Sequence, residues 1–396
     1  MDSRLITDSD RFEALCAAIR DAGEVAFDTE FVSEYSYFPE LCLLQFALNG
    51  ESYAVDPLAI DDLSTWWDVM ADDQTNVIVH GGQAEIRFCL TQSGLVPRKL
   101  VDIQLAEGLR SRSYPLSYSN LIRRVMNVRL KGKETRTDWR RRPLSDQQIF
   151  YALEDVKHVA EAWRRQSDSL KSLGRLDWAT SEFDRMVAEI KSDLDAPAWH
   201  KLPGLHRLSK QELGVAVELA EWREKEADVR GCQPRRVLRD DLLADLCRRQ
   251  PKTEKDLLAT RDMSRSNFKR GASEMLKAIE RGVAIPSDEI PKVPTDSKKG
   301  ERNADEEVLG KLLALALANR CAELNVSMQL VGTSHELRQL VRMYVYKELD
   351  DSPPKFLSGW RAEVCGNLLV DVLDGKISFR VADPASDHPL VFERRE

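Results

Sequence analysis

The stretch "VAFDTEF" (25–31) alternates like a half-buried strand yet carries Asp28 and Glu30 two residues apart. Their carboxylates leave the same face of the strand. Like charges repel there, and neither residue favours a strand, so the fold gains little from them. A cation between them removes the repulsion. Further oxygen donors stand elsewhere in the chain. Tyr151 and Asp155 are spaced i and i+4 and share one helix face. Glu85 opens a helical pattern just past a strand ending in "VHGG", and the carboxyl end of a strand is where open α/β sheets build their sites. Asp28, Glu30, Glu85 and Asp155 together suit two Mg²⁺ or Mn²⁺ ions, hard cations that take oxygen ligands. Two such ions about 3.5–4 Å apart stabilise both the attacking and the leaving oxygen of a phosphodiester.

The elements that must position these groups are legible in the hydrophobic pattern. Strands are expected at 24–31, 41–48, 52–56, 76–81 and 100–104, and helices at 10–22, 62–71 and 83–93. Asn49-Gly50 suits a tight hairpin between the second and third strands, and "YFPEL" (37–41) reads as a turn. Three strands in quick succession followed by helix–strand alternation describe a mixed sheet in an α/β domain. After residue 115 helices take over. A single helix is expected over 144–166, opened by a capping box of Ser145 and Gln148. Two prolines in 191–206 mark a domain boundary. A helical block follows from 207 to about 285, with capping signals at Ser209/Glu212 and Thr253/Asp256. The proline- and charge-rich run 286–307 reads as a linker. A second helical block spans 308–376, and 377–396 is expected to be an extended tail.

At 396 residues the chain is long enough for two or three domains. It has no run of eighteen apolar residues and an acidic, polar start, which excludes a membrane anchor or signal peptide from the expectation. The seven cysteines are scattered and form no C-x-x-C, which fits reduced thiols in a cytoplasm and gives no zinc site. Net charge is −8, yet between Arg98 and Arg142 thirteen Lys/Arg face four Asp/Glu. Such a local basic belt is the pattern that phosphate contacts require.

In order and in their surrounding letters, these residues resemble the ribonuclease D family of the DEDD exonuclease superfamily, in the branch with tyrosine in its last motif. "FDTEF" (27–31) is similar to the first motif, "VHGGQAEIRF" (79–88) to the second and "RTDWRRRPLSDQQIFYALEDVKHV" (136–159) to the third. Residues 207–246 resemble the helicase-and-RNase-D C-terminal (HRDC) domain, and 357–376 its second copy in the family. The resemblance implies a ribonuclease-H-like, mixed five-stranded exonuclease domain over 1–200, followed by HRDC-type helical domains at 207–285 and 308–376. It implies hydrolysis of RNA from the 3′ end to 5′-mononucleotides, with two Mg²⁺ or Mn²⁺ ions held by Asp28, Glu30, Glu85 and Asp155. Tyr151 is then the residue that orients the attacking water. The Thr29 backbone and the Phe31 ring are implied to meet the terminal nucleotide, and Arg136 in the basic stretch 129–142 the incoming backbone. The expected partner is a 3′-extended tRNA or other stable RNA, with no membrane and no nucleotide cofactor.

Two letters depart from that pattern. Glu85 stands where the family has aspartate, and its extra methylene extends its reach by roughly 1.5 Å. Asp262 stands where modules of this type carry glycine, which weakens a phosphate-binding turn there. Glu85 keeps open a second reading, a catalytically weak or inactive RNA-binding scaffold. The HRDC-like block keeps open a third, an interaction module in DNA repair; no G-x-x-x-x-G-K-[ST] loop makes the chain a helicase. His80 and Asp102 read as structural, the latter as a helix cap, and Trp139 and Trp222 as core.

Overall fold

The computed structural model describes residues 4–33, 38–130, 137–263, 266–293, 304–347 and 354–395. The chain forms two compact units. The first joins Met1–Glu30, Leu41–Lys191 and Arg302–Glu396; the second joins Phe31–Glu40 and Ser192–Glu301.

The first unit is built on strands β1 (Leu5–Ile6), β2 (Glu24–Val32), β3 (Glu40–Leu48), β4 (Glu51–Val55), β5 (Asn76–Val79) and β6 (Leu100–Asp102). Their order across the sheet is β1-β4-β3-β2-β5-β6. β1 runs parallel to β4, β3 antiparallel to β4, and β5 parallel to both β2 and β6, so the sheet is mixed. It has six strands where five were expected: β1 is two residues long, too short for alternation to reveal it. Asn49 (φ 52°) and Gly50 (φ 87°) make the expected hairpin, both in the left-handed region that a type I′ turn demands. β2 is anchored in the core by Phe27, whose ring lies 5.1 Å from Phe46 and 4.6 Å from Trp66 between centroids. All three rings are fully buried. That anchor fixes the strand one residue before Asp28.

Around the sheet lie α1 (Ser9–Ala22), α2 (Ser64–Ala71), α3 (Gln83–Ser93), α4 (Ile103–Arg110), α5 (Tyr118–Met126), α6 (Asp146–Lys157), α7 (Val159–Ser172) and α8 (Leu176–Asp195). The capping box at Ser145 and Gln148 is present. The single helix expected at 144–166 is instead two, broken at His158 (φ −107°, ψ 0°). The cause lies in a distant residue. The Tyr118 hydroxyl donates to the Glu154 carbonyl at 3.2 Å and accepts from the His158 N–H at 3.3 Å, taking the place of the backbone bond between them.

The second unit packs α9 (Lys210–Val229), α10 (Pro234–Val237), α11 (Asp240–Arg249), α12 (Glu254–Leu258) and α13 (Ser266–Ala284) around Leu213, Leu219, Leu243, Leu246 and Met275. α9 and α13 meet at two glycines: a Cβ on Gly214 would lie 2.7 Å from the Gly282 carbonyl oxygen. Ser209 and Glu212 form a reciprocal capping box, and Thr253 caps α12 through the Asp256 N–H. Asp262 adopts φ +64°, the conformation that favours glycine, and its carboxylate pairs with Arg239 at 3.1 Å.

The chain then returns to the first unit. α14 (Ala304–Glu323) begins inside the expected linker, of which 294–303 lie outside the described residues. It is followed by α15 (Met328–Val331), α16 (Ser334–Tyr346), α17 (Gly359–Arg361) and α18 (Asn367–Leu373). The tail is an antiparallel hairpin of β7 (Ile377–Val381) and β8 (Leu390–Arg394). This block is fastened to α8 by a buried cluster. Glu182, 1% exposed, accepts from Arg361 Nη2 and Trp360 Nε1, both at 2.8 Å, and Trp360 stacks on Trp178 at 5.2 Å. Arg175 adds bonds to the carbonyls of Leu109 and Leu324. Among the described residues no helix is long and apolar enough to cross a membrane.

Candidate active site

β2 and α6 bring the predicted residues together. A cavity of about 380 Å³ is lined by Phe27, Asp28, Glu30, His80, Ser117, Tyr118, Tyr151, Asp155 and Val159. Asp28 and Glu30 enter from one face of β2, and Tyr151 and Asp155 from one face of α6, as the two spacings require.

Glu85 is placed differently. It is 4% exposed, in the first turn of α3, and does not line the cavity. Its Oε1 accepts from Thr29 Oγ1 at 2.6 Å, and Thr29 is itself 6% exposed. Thr29 alternates with Asp28 and Glu30 and so lies on the other face of β2. Its side chain was not part of the expectation; here it is the group that holds the longer acid. The start of α3 is fixed from below. Asp102 accepts from the N–H groups of Gly81 and Gly82, each at 3.1 Å, and also caps α4 through the Gln104 N–H at 2.7 Å. A side chain at 82 would come within 2.3 Å of Val79, so the tight turn before Glu85 needs glycine. Asp102 is a cap, as its position suggested.

His80 Nε2 donates to the Leu116 carbonyl at 2.9 Å, and Gln104 Nε2 donates to the same oxygen at 2.9 Å. Trp139 is buried, 6.4 Å from the Tyr151 ring, though in a turn and not at helical spacing. Phe31 is 38% exposed and falls in the second unit. Arg136 lies outside the described residues. Several cations of the basic belt are engaged internally. Arg142 clasps Asp56 and the Cys42 carbonyl, Arg140 pairs with Asp138, and Arg110 and Arg124 both pair with the buried Glu107. Sequence reasoning missed Gln45, Tyr118 and Ser117. None carries a charge or sits in an acidic motif, so no local signal marked them.

The electrostatics are those of acids without a counter-charge. Burial, followed by Glu85, Asp155 and Glu30, holds Asp28 well above the usual carboxylate range, opposed by the Thr29 N–H on its Oδ1 at 2.9 Å. Burial and then Asp155 push Glu30 up to about 8. The fully buried Gln45 amide lies beside Glu30 and lowers it in part, although neither of its polar atoms has a hydrogen bond of normal geometry. Burial raises Glu85 to about 7 against the Thr29 bond, and Asp155 to about 6 against its interaction with Tyr151. Burial and Asp155 also raise the Tyr151 phenol, which is therefore a neutral hydroxyl at neutral pH. Among the described residues no three such side chains close on a single point as ion ligands. The donor set is still that of a hard-cation site: oxygen ligands only, each destabilised as an anion by burial, and Asp28 and Glu30 by the other acids as well.

A stability test follows. These acids bind protons more tightly when folded, so their stabilisation is full at low pH and lost as pH rises through the folded values. In EDTA the melting temperature should therefore fall between pH 6.5 and 8.5, where Glu85 and Glu30 titrate, by on the order of 5 °C. His80, depressed by burial, acts in the opposite sense only below 6.5. Mg²⁺ or Mn²⁺ should remove most of the decline. Scanning fluorimetry across that range reads it, and a flat profile in EDTA would show that burial does not raise these acids in the folded protein.

Comparison with known proteins gives the family and the fold. A family profile described as 3′–5′ exonuclease matches residues 3–165, and one described as HRDC domain matches 212–279. The chain is 31% identical to "Ribonuclease D" of Zymomonas mobilis subsp. mobilis over 95% of both chains. It is likewise 31% identical to "Ribonuclease D" of Sphingobium indicum, over 95% of this chain and 96% of that one. Its fold matches the crystal structure of RNase D from Escherichia coli, an exoribonuclease involved in structured RNA processing. That match has a TM-score of 0.82 at 24% identity and covers 95% of this chain and 99% of the other.

Proposed function

This chain belongs to the ribonuclease D family and is a 3′–5′ exoribonuclease, and from that premise we propose that it trims 3′ extensions from tRNA precursors or other stable RNAs in a divalent-metal-dependent reaction. The observation that carries the reading is the convergence of Asp28, Glu30, Tyr151 and Asp155 on one cavity, with Glu85 buried behind Thr29. Asp28, Glu30, Glu85 and Asp155 would hold two Mg²⁺ or Mn²⁺ ions. When bound, such ions supply charge stabilisation at the attacking and leaving oxygens of the terminal phosphodiester.

The chain's own groups do the rest. Tyr151, neutral and anchored toward Asp155, holds the attacking water by a hydrogen bond and does not itself remove a proton from the free enzyme. The strand backbone at Thr29 and the Phe31 ring receive the terminal nucleotide, and Arg136 the phosphate behind it. Attack on that phosphorus releases a 5′-mononucleotide and leaves a new 3′ hydroxyl on the shortened RNA. The second helical block, 308–376, is a further HRDC-like module in this reading, and the seven free thiols suit a cytoplasmic enzyme. The test is purified full-length protein with 3′-extended tRNA, linear RNA and DNA of the same sequence, in Mg²⁺, Mn²⁺ or EDTA. Single-nucleotide shortening of RNA from the 3′ end, abolished by EDTA, is expected. RNA binding without hydrolysis in either metal would replace the reading with an RNA-binding scaffold.

The Thr29–Glu85 bond adds a series on the residue that departs from the family. Glu85→Ala and Glu85→Gln should be nearly inactive, while Glu85→Asp keeps activity with a changed Mg²⁺/Mn²⁺ preference. Thr29→Val removes the donor that orients the longer acid and should lower kcat about 10-fold, with Thr29→Ser close to the parent. The effect of Thr29→Val should vanish in a Glu85→Asp background, because the shorter side chain no longer reaches the hydroxyl. Equal losses in both backgrounds would make Thr29 a packing residue.

A further inference from the structure

We propose that Tyr118 is a positioning residue for the reaction: its hydroxyl, inserted into the break between α6 and α7, sets where Asp155 projects into the cavity. The two backbone groups it joins, the Glu154 carbonyl and the His158 N–H, stand at i and i+4 and would bond directly in an unbroken helix. Asp155 lies between them, and the carbonyl bound by Tyr118 belongs to the peptide unit that carries Asp155. With its one donor used on Glu154, the phenol has no proton to offer water or substrate, so its influence passes through the helix.

Tyr118 is itself held from the other side of the site. Its ring meets His80 edge-on, 5.7 Å between centroids. Two residues earlier the Leu116 carbonyl accepts from both His80 and Gln104, each at 2.9 Å. Gln104 belongs to the helix capped by Asp102, and Asp102 also fixes the turn before Glu85. The element bearing Glu85 and the element bearing Asp155 thus take their register from one anchor, and Tyr118 is its last link. A hydroxyl inserted into a helix ladder is a specific cause of a kink. Removing it lets the Glu154 carbonyl and the His158 N–H pair directly, straightens the last turn of α6 and displaces Asp155.

The role assigned to Asp155 rests on the metal-dependent reading above; the role of Tyr118 in the break does not. The experiment uses full-length Tyr118→Phe, which keeps the ring and its contacts. Hydrogen exchange over residues 154–162 should slow as the ladder closes. The rise in melting temperature given by Mn²⁺ should shrink by about half or more. On 3′-extended RNA, kcat should fall ~10- to 100-fold with KM within about twofold of the parent. Parental exchange, kcat and Mn²⁺ response together would overturn the proposal. So would a loss of activity with the Mn²⁺ response intact and a general drop in melting temperature, the pattern of a packing residue. Should the parent itself neither cleave RNA nor respond to Mn²⁺, the metal reading falls, and the exchange result alone decides whether Tyr118 sets the break.

Discussion

Asp28→Asn should cut RNA hydrolysis ~10³-fold or more and at the same time raise the melting temperature in EDTA. Both effects come from one charge. Asp28 is held well above the usual carboxylate range by desolvation and by the charges of Glu85, Asp155 and Glu30. An amide of the same shape relieves the repulsion between position 28 and those three acids and no longer has to be desolvated as an anion, so the metal-free protein gains stability. The same amide is a neutral, weaker oxygen ligand, so divalent affinity falls and little stabilisation of the reacting phosphate remains. Kinetics on 3′-extended RNA and scanning fluorimetry with and without Mn²⁺ measure the two effects side by side. Cleavage above a few per cent of the parental rate would remove Asp28 from the site. A lower melting temperature in EDTA would contradict the electrostatics.

Tyr151→Phe is the second large effect. General acid–base positioning is worth ~10²–10⁴ in rate, and the change deletes only the hydroxyl, so the loss should fall on kcat with RNA affinity unchanged. The ring's environment near Trp139 is kept. Losing the hydroxyl also removes an interaction that lowers Asp155, so the Asp155 carboxyl should become harder to ionise. Tyr151→Phe and Tyr118→Phe are the same chemical edit on the wall of one cavity, yet they are expected to differ. Only the second alters the helix break and its hydrogen exchange. An unchanged turnover in Tyr151→Phe would make that tyrosine a packing residue.

What the sequence made legible follows the range of the forces involved. Alternation and 3.6-residue periodicity are local, and they located β2 to β6 and the first three helices to within about two residues. The Asn49-Gly50 hairpin and the boxes at Ser145 and Ser209 were legible for the same reason, since a turn or a cap is decided by neighbours in the chain. Asp28, Glu30, Tyr151 and Asp155 share a cavity because their spacings fix which face they occupy. The rest depends on contacts between distant segments. Nothing near His158 announces a break, because its cause is the hydroxyl of Tyr118. Nothing near Thr29 announces that its side chain turns to Glu85, fifty-six residues on. Arg142, counted within a basic belt, is held by Asp56 across eighty-six residues. Charge counting along a chain cannot separate cations that face solvent from those that hold the fold.

The fastening of Glu182 has a consequence for how the protein is made. Glu182 and Arg361 are 179 residues apart, and a ribosome adds ~5–20 residues per second. Glu182 therefore waits roughly 10–40 s for Arg361. During that time residues 192–301, nearly the whole of the second unit, are synthesised and free to fold. The unit that carries the chemistry begins first and closes last, when Trp360 and Arg361 arrive from the final tenth of the chain. Until then Glu182 is paired with Arg185, one turn along α8, and a carboxylate that ends 1% exposed must stay partly hydrated, since burying it without its remaining donors is costly. A chain that terminates early, after the helical unit, leaves the Glu182–Arg185 pair on α8 without Arg361 and Trp360 and the first unit unfinished around it.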